Sequence, residues 1–400
     1  MIVSGIIAEY NPFHKGHQYH IEKTRQITGA DYIIAILSPD YVQRGVPAFL
    51  DKFTRTKMAL LSGVDLVIEL PLAVATSSAE FFALGGISLL HQLDIVDYCS
   101  FGSELGEVEP FLEIANTLVN ESPRFQSNLK TALKNGMSFP VARKKALAQE
   151  LPAYTDILDS PNNILGIEYC KALKVCNSPI KPVTIKRTSD NYHEESIAGE
   201  LSSAKAIRTA LFANSECLTT DTFTTDNVLA SIKDTLPPEA FAILRHNWLI
   251  NGPLDEDDFS SLLRYKLLSE TTDTLTTYID VSANLANRII NSLNDFKSFS
   301  QFADLLKSKE MTRTRINRAL LHILLNIKKI PEINYARILG FRKSAQPLLH
   351  ELKKSSGIPL ITKPNEVAYD TFAANLYEST LSDKFKRDFV HEYSKPVVVV

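Results

Sequence analysis

Two histidines, His14 and His17, lie three residues apart across Lys15 and Gly16, inside the run Asn11-Pro12-Phe13-His14-Lys15-Gly16-His17-Gln18-Tyr19-His20. An apolar, β-branched segment, Val3 to Ala8, precedes the run, and a helical spacing of apolar residues follows it. The pair therefore sits at a strand-to-helix turn. Gly16 lets the backbone approach a ligand without a Cβ in the way. The helix opening near His17 offers unpaired N–H groups and a positive dipole end, which suits a phosphate. Two imidazoles there donate hydrogen bonds to phosphoryl oxygens as negative charge builds in a transition state. In phosphoryl and nucleotidyl transfer, positioning and charge stabilisation supply most of the catalysis, so no protein nucleophile is required. The plain alternative is that the histidines only cap the helix. His20 continues the same helical face and reads as a packing residue.

Four other segments carry groups suited to the same chemistry. In Phe101-Gly102-Ser103-Glu104, Gly102 would let a ribose or base come close. Ser160-Pro161-Asn162-Asn163 opens a helix; Ser capping and Pro explain it structurally, and the paired amides of Asn162 and Asn163 could also hold a nucleotide. Lys186-Arg187 ends a strand and aims two cations at a pocket mouth, unless they form a solvated charge pair. Ser202-Ser203-Ala204-Lys205-Ala206-Ile207-Arg208 starts a further helix, where N–H groups, Ser203 and Arg208 can hold phosphates.

These segments need a scaffold that brings strand ends together. Strands are predicted over Val3–Ala8, Tyr32–Leu37, Asp65–Leu70, Ile95–Phe101 and Val183–Lys186. Helices are predicted over His17–Thr28, Lys52–Ser62 and Ala79–Gln92, with more between Val108 and Glu150 and over Ser202–Phe212. Strand–helix alternation with near-continuous apolar strands predicts an α/β fold, Rossmann-like, with a parallel sheet covered on both faces. Ligands of such sheets bind at the carboxyl ends of the strands. Residues 214–227 are rich in Thr, Ser and Asp and read as a linker. Beyond them strand signals nearly vanish and helical spacing dominates, over Ala240–Leu249, Phe259–Ser269, Ala283–Asn291, Phe299–Leu306 and Thr314–Leu325. The expected organisation is a nucleotide-activating domain over 1–213 and a mainly α-helical domain over 214–400. The tail from Pro396 to Val400 is expected to pair with a sheet edge.

Composition narrows the class. Of 400 residues, 44% are hydrophobic and 22% charged, enough for real cores and against a disordered chain. Lys and Arg number 43 against 46 Asp and Glu, so nucleic-acid binding would need a local basic patch. Cys99, Cys170, Cys176 and Cys217 form no CxxC pair and no zinc pattern, which reads as free thiols in a reducing cytoplasm and predicts no metal site. The apolar N-terminus lacks a basic region and a cleavage site. The longest apolar stretch, Val64 to Ala75, is interrupted by Asp65, Glu69 and Pro71 and is too short and charged to span a bilayer. A cytoplasmic chain with no membrane partner is expected.

The HxGH run after a first strand resembles the HIGH-type signature of nucleotidyltransferases, whose members attack the α-phosphate of ATP and release pyrophosphate. Ser202 to Arg208 is similar to that superfamily's second motif, with Leu201 and Ala204 in place of its Ile and Thr. The segments Gly5–Ile21, Tyr41–Gly45, Gly63–Pro71, Phe101–Glu104 and Ser160–Tyr169 occur in an order and spacing that resemble the bacterial tRNA(Met) cytidine acetate ligase family, most densely over residues 1 to 210. That resemblance implies two steps: ATP and acetate give acetyl-adenylate and pyrophosphate, then the N4 amine of the wobble cytidine of elongator tRNA(Met) takes the acetyl group, giving N4-acetylcytidine and AMP. It further implies ATP contacts along Ile7, Ala8, Glu9, Tyr10, Asn11, Pro12, Phe13, His14, Lys15, Gly16, His17, Gln18, Tyr19 and His20, and at Gly102, Asn162 and Arg187. Asn163, Lys186, Ser203 and Arg208 are further candidates, and Asn162 and Asn163 remain rivals. Mg2+ is expected to accompany the ATP.

For the RNA, a basic run includes Lys307, Lys309, Arg313, Arg315, Arg318, Lys328 and Lys329, followed by Arg337, Arg342, Lys343, Lys353 and Lys354. Arg315 and Arg318 are spaced to share a helix face. Arg313, Arg315, Arg318, Lys328 and Lys329 are the expected phosphate contacts, with a solvated helix surface as the plain alternative. Two other functions fit parts of the pattern: a small-molecule adenylyltransferase or carboxylate–amine ligase of the same fold, and a non-catalytic RNA-binding protein.

Overall fold

The structure, a computed structural model, describes residues 1–187, 202–213, 228–248, 250, 252–308, 311–364 and 368–400. The expected linker over 214–227, and Leu201, Cys217 and Lys309, lie outside the described residues. The first half runs β1 (Val3–Ala8), α1 (Lys15–Thr28), β2 (Tyr32–Leu37), a small hairpin of β3 (Tyr41–Val42) and β4 (Val46–Pro47), α2 (Lys52–Leu61), β5 (Leu66–Glu69), α3 (Leu72–Ala75), α4 (Ala79–Gln92) and β6 (Tyr98–Ser103). It continues with α5 (Glu109–Val119), α6 (Pro123–Lys134), α7 (Phe139–Glu150), α8 (Pro161–Val175), β7 (Lys181–Lys186) and α9 (Ala204–Ala213).

The strands form one sheet in which β1 lies between β2 and β6, with β5 beyond β2 and β7 beyond β6, all parallel. Chain order reverses on the two sides of β1. That reversal opens a crevice at the carboxyl ends of β1 and β6. The sheet is covered on both faces, as the continuous apolar strands require. Along β2, Ile34 and Ile36 enter the core beneath α4, α5 and α8, while Ile33, Ala35 and Leu37 enter the opposite core with Phe49, Met58 and Leu60.

The second half is mainly helical, with helices over Pro238–Asn247, Ser260–Leu268, Ala283–Asn291, Phe299–Leu305, Arg313–Leu324, Gln346–Ser355 and Ala368–Phe385. Leu263, Leu285, Phe299 and Leu320 share a third core with Tyr41 and Tyr377. One expectation needs correction here. Strand structure does not fade after residue 227. β8 (Ala336–Phe341) joins the sheet antiparallel to β5, and β9 (Leu360–Ile361) and β10 (Val398–Val399) pair with β8. The sheet is therefore mixed at this edge, and the chain's second half completes it. The tail does pair there, through Val398 and Val399.

Buried charges tie this returning segment down. The Lys52 ammonium, 2% exposed, pairs with Glu69 at 2.6 Å and Glu392 at 2.7 Å, with Asp40 at 3.7 Å. Arg337 of β8 reaches the same two glutamates at 2.8 Å each. Arg337 is thus an interior residue, contrary to its place in the basic run expected to face RNA. Burial alone would raise the Glu392 carboxyl, but Lys52 and Arg337 outweigh it and hold the group below its ordinary value. Among the described residues, Cys99, Cys170 and Cys176 are free thiols, and no helix is long and apolar enough to cross a membrane.

Candidate active site

The turn after β1 is built to hold two imidazoles rigidly. His14 is the N-cap of α1, and its Nδ1 accepts from the backbone N–H of Gly16 at 3.0 Å. His17, one turn in, reaches back so that its Nδ1 accepts from the backbone N–H of His14 at 3.3 Å. This reciprocal arrangement is a capping box with histidines in both places. The rings stack, their centroids 3.7 Å apart. Gly16 is required sterically as well: a Cβ there would lie 2.8 Å from the His14 ring.

The capping has a chemical consequence. With each Nδ1 accepting an N–H, the ring proton of each neutral imidazole belongs on Nε2. Two Nε2–H donors are therefore set side by side, and both rings line the cavity described next. Burial, then the cations Arg187 and Arg208, push the His14 pKa down to about 3. Burial, then His14, Arg187 and His20, hold His17 well below its ordinary value, and burial with Arg187 takes His20 down to about 4. The histidines are neutral donors at physiological pH. The plain alternative of helix capping and the catalytic reading are thus not rivals, because capping is what aims the donors.

The sign of the pH dependence follows. In the unfolded chain these histidines take up protons near pH 6.5, whereas in the folded chain they resist until the pH is far lower. Stability is present in full above that value and is lost as pH falls from 6.5 towards 4. The denaturant midpoint is expected to drop over that interval, and His20→Gln is expected to flatten the drop. An unchanged slope in that variant would count against neutral, buried imidazoles.

Two cavities share this wall. A smaller one of about 100 Å³ is lined by His14, Gly16, His17, Tyr19, His20, Gly102, Asn162, Ile185, Lys186 and Arg187. A larger cleft of about 410 Å³ is lined by residues 6–11, Gln43, Arg44, Ala79, Phe82, Phe101, Pro161, Ile164, Leu165, Tyr169, Ala204 and Arg208, and shares His17, His20, Gly102 and Asn162 with the first. Elements distant in sequence thus converge on one crevice, where the strand order reverses.

The fold sorts the expected site residues. Ile7, Ala8, Glu9, Tyr10 and Asn11 line the larger cleft. Asn11 also positions neighbours: its Oδ1 accepts from the Phe49 N–H at 2.6 Å, and its carbonyl accepts from Arg208. Phe13 is fully buried in the core against Tyr10 and His17, and Pro12, Lys15 and Gln18 line neither cavity. His20 reaches Ser100 Oγ at 2.9 Å, which fits its reading as a packing residue, although its ring also edges both cavities. At Gly102 an added Cβ would meet only ordinary contact, 3.6 Å from Arg187, so protein packing does not demand glycine there.

The two rival asparagines occupy different places. Asn162 lines both cavities, with its Nδ2 donating to Glu104 Oε1 at 2.6 Å. Asn163 is 5% exposed and turned inward, and its Oδ1 accepts from the backbone N–H groups of Glu104 and Leu105. It supports the loop after β6 and lines neither cavity. Ser203 Oγ accepts from the Ala206 N–H at the start of α9 and lines neither cavity.

Gln43 and Arg44 went unassigned in the sequence. They sit at the tip of the β3–β4 hairpin, and the Tyr41–Gly45 segment of the family resemblance is the signal that could have found them. Gly45, at φ +75°, fixes that tip: a Cβ would lie 2.3 Å from the Arg318 backbone nitrogen. Among the described residues, no three His, Cys, Asp or Glu side chains group to hold a metal ion.

The basic residues expected to meet RNA divide. Arg318 is 9% exposed and pairs with Asp280 at 2.8 Å, so it is structural. Arg313 is committed to Asp304, Glu256 and Asn317. Arg315, Lys328 and Lys329 are exposed, Lys328 lying over the Tyr278 ring.

Known proteins resemble the chain over nearly its whole length. The model of the HIGH Nucleotidyl Transferase family matches residues 1–392. A tRNA(Met) cytidine acetate ligase of Clostridium perfringens is 39% identical over 399 residues, covering 94% of this chain and 95% of that one. One of Clostridium novyi is 41% identical over 389 residues, covering 94% and 93%. A crystal structure of Thermotoga maritima TmcAL bound with alpha-thio ATP matches at a TM-score of 0.89 and 28% identity, and an apo form at 0.91 and 29%, each covering the whole of both chains. With its HxGH turn at the mouth of a crevice and its likeness to these ligases running nearly end to end, the chain belongs to the tRNA(Met) cytidine acetate ligase family of HIGH nucleotidyl transferases.

Proposed function

We propose that this protein ligates acetate to N4 of the wobble cytidine of elongator tRNA(Met) at the expense of ATP, through acetyl-adenylate. The observation that carries the mechanism is the capped histidine pair, whose Nδ1 atoms are held by backbone N–H groups and whose rings line a cavity that Arg187, Asn162 and Gly102 also line. In the first step an acetate oxygen attacks the α-phosphorus of ATP and pyrophosphate leaves. Charge grows on the non-bridging oxygens, and the imidazoles, already oriented by the backbone, receive it without reorganisation. Their neutrality keeps the cost of burying them low. Lys186 and Arg187 at the end of β7, with the amino end of α1, steady the phosphates. Gly102 leaves room for the ribose or base, and Asn162 donates to it.

Among the described residues no His, Cys, Asp or Glu cluster would hold Mg2+ by itself, so a Mg2+ carried in with the triphosphate would supply charge neutralisation there while the imidazoles, Lys186 and Arg187 keep their roles. In the second step the cytosine N4 attacks the acetyl carbon and AMP departs. Residues 1–213 supply the activating site and residues 214–400 the tRNA contacts, with β8 and β10 returning from that half to brace the sheet. Of the five residues expected to contact the RNA, Arg315, Lys328 and Lys329 are the exposed ones and track its backbone, Arg315 by giving up its 3.9 Å pairing with Asp280. A tRNA substrate and free thiols fit a cytoplasmic location.

The test is incubation with labelled acetate, ATP and total bacterial tRNA. Label in tRNA(Met) as N4-acetylcytidine is expected. Acetate-dependent pyrophosphate release with no label in RNA would point to a small-molecule ligase, and neither product would point to a binding protein.

A further inference from the structure

The larger cleft asks for an occupant. It shares a wall with the nucleotide cavity, so whatever fills it lies beside the reacting phosphate. Its sides are aromatic and aliphatic, from Phe82, Phe101, Ile164, Leu165 and Tyr169, and its polar groups are mostly donors, Arg44 and Arg208 among them. A flipped base fits such a slot, flat faces against apolar walls and edge atoms on polar groups.

Cytosine imposes one further demand. Its N4 amine is a donor, so recognition needs an acceptor. Attack on an acyl carbon also releases a proton from N4, which needs somewhere to go. Among the described residues lining the two cavities there is one carboxylate, Glu9, next after the end of β1. It is partly exposed, and one oxygen, Oε1, is oriented by the backbone N–H of Gln43 at 2.9 Å. The histidines cannot substitute. In both His14 and His17, Nδ1 is occupied by a backbone N–H, leaving a protonated Nε2 that only donates. His20 is engaged with Ser100.

We propose that the larger cleft receives the flipped cytosine and that Glu9 accepts the hydrogen bond from its N4 amine and takes the N4 proton during acetyl transfer. This rests on the ligase reading above and adds to it a site for the base and a proton acceptor. The step balances. The N4 lone pair forms the N–C bond, the C–O bond to the phosphate breaks, AMP leaves with that electron pair, and the N4 proton passes to the Glu9 carboxylate and out through the open cleft.

The experiment compares Glu9→Gln with the unaltered chain in two assays. One is acetate-dependent ATP–pyrophosphate exchange, which needs no RNA. The other is single-turnover acetyl transfer to tRNA(Met) from preformed acetyl-adenylate. Glutamine keeps an oxygen for the Gln43 N–H and loses the basic carboxylate. Transfer is expected to fall about 100-fold more than exchange, in line with removal of a general base. Glu9→Asp, which keeps a carboxylate, is expected to recover part of the transfer rate. Equal losses in both assays would overturn the inference by assigning Glu9 to nucleotide binding, and undiminished transfer would overturn it too. An unaltered chain without acetate-dependent exchange would remove the ligase reading itself, and this inference with it.

Discussion

Acetate-dependent ATP–pyrophosphate exchange is expected to fall by about 100- to 1,000-fold in His14→Asn and in His17→Gln, on the scale of losing one preorganised oxyanion donor, about 2.7–4 kcal/mol. The choice of replacement matters because both histidines also cap α1. Alanine at position 14 would remove the N-cap and cost about 1 kcal/mol of stability as well, confusing the two roles. Asparagine is a good N-cap, and glutamine three residues on can still reach back to the cap N–H. Each variant therefore keeps the capping box while replacing the imidazole, and its ring Nε2–H, by a shorter amide whose oxygen is held at the cap. Melting temperatures close to that of the unaltered protein, with exchange lost, would separate chemistry from folding. Near-normal exchange in both variants would show that the imidazoles only shape the turn.

The largest effect on stability is expected at Lys52. Replacing it with methionine leaves Glu69, Glu392 and Asp40 buried with less positive charge, since only Arg337 and, at 4.0 Å, Lys395 remain beside Glu392. Stranding one side of a buried ion network costs about 3–5 kcal/mol. The pairing joins α2, β5, β8 and the Glu392 segment, so the loss should loosen the sheet edge that the chain's second half completes. Urea unfolding measures it, and Lys52→Met combined with Glu392→Gln should recover part of the loss because the stranded carboxylate is then neutral. A single Lys52→Met variant of unchanged midpoint would mean the network contributes nothing net. The pH window follows the same pairs. The Glu392 contribution is present above the ordinary carboxylate range and fades as pH falls through its lowered folded value. The Lys52 contribution holds below the ordinary lysine value and fades only as pH rises past its raised one.

How far the sequence foretold this site depends on how local the signal was. The His14–His17 turn and the strands β1, β2 and β5 were readable because each is carried by a few adjacent residues: apolar runs, a glycine, a capping pattern. β8 was not. Ala-Arg-Ile-Leu-Gly-Phe is short, carries a charge and a glycine, and pairs with β5, distant in the chain. Its charge is what hides it, yet Arg337 belongs there because Glu69 and Glu392 are waiting. Asn162 and Asn163 were indistinguishable as types; successive helical residues point roughly 100° apart, and only the packing of α8 on the β6 loop decides which one faces the cavity. The basic run misled for a related reason. Spacing places Arg315 and Arg318 on one face, but it does not reveal that Asp280 waits on that face for both. Gln43 and Arg44 were hidden in a two-residue-strand hairpin whose position depends on Gly45 packing against the helix of Arg318.

A crystal structure of the protein with a nonhydrolysable ATP analogue tests the central claim most directly. The α-phosphate is expected within hydrogen-bond reach, about 2.7–3.2 Å, of the Nε2 atoms of His14 and His17, with Asn162 and Arg187 on the same nucleotide. A nucleotide bound elsewhere, with neither imidazole touching a phosphate, would contradict it.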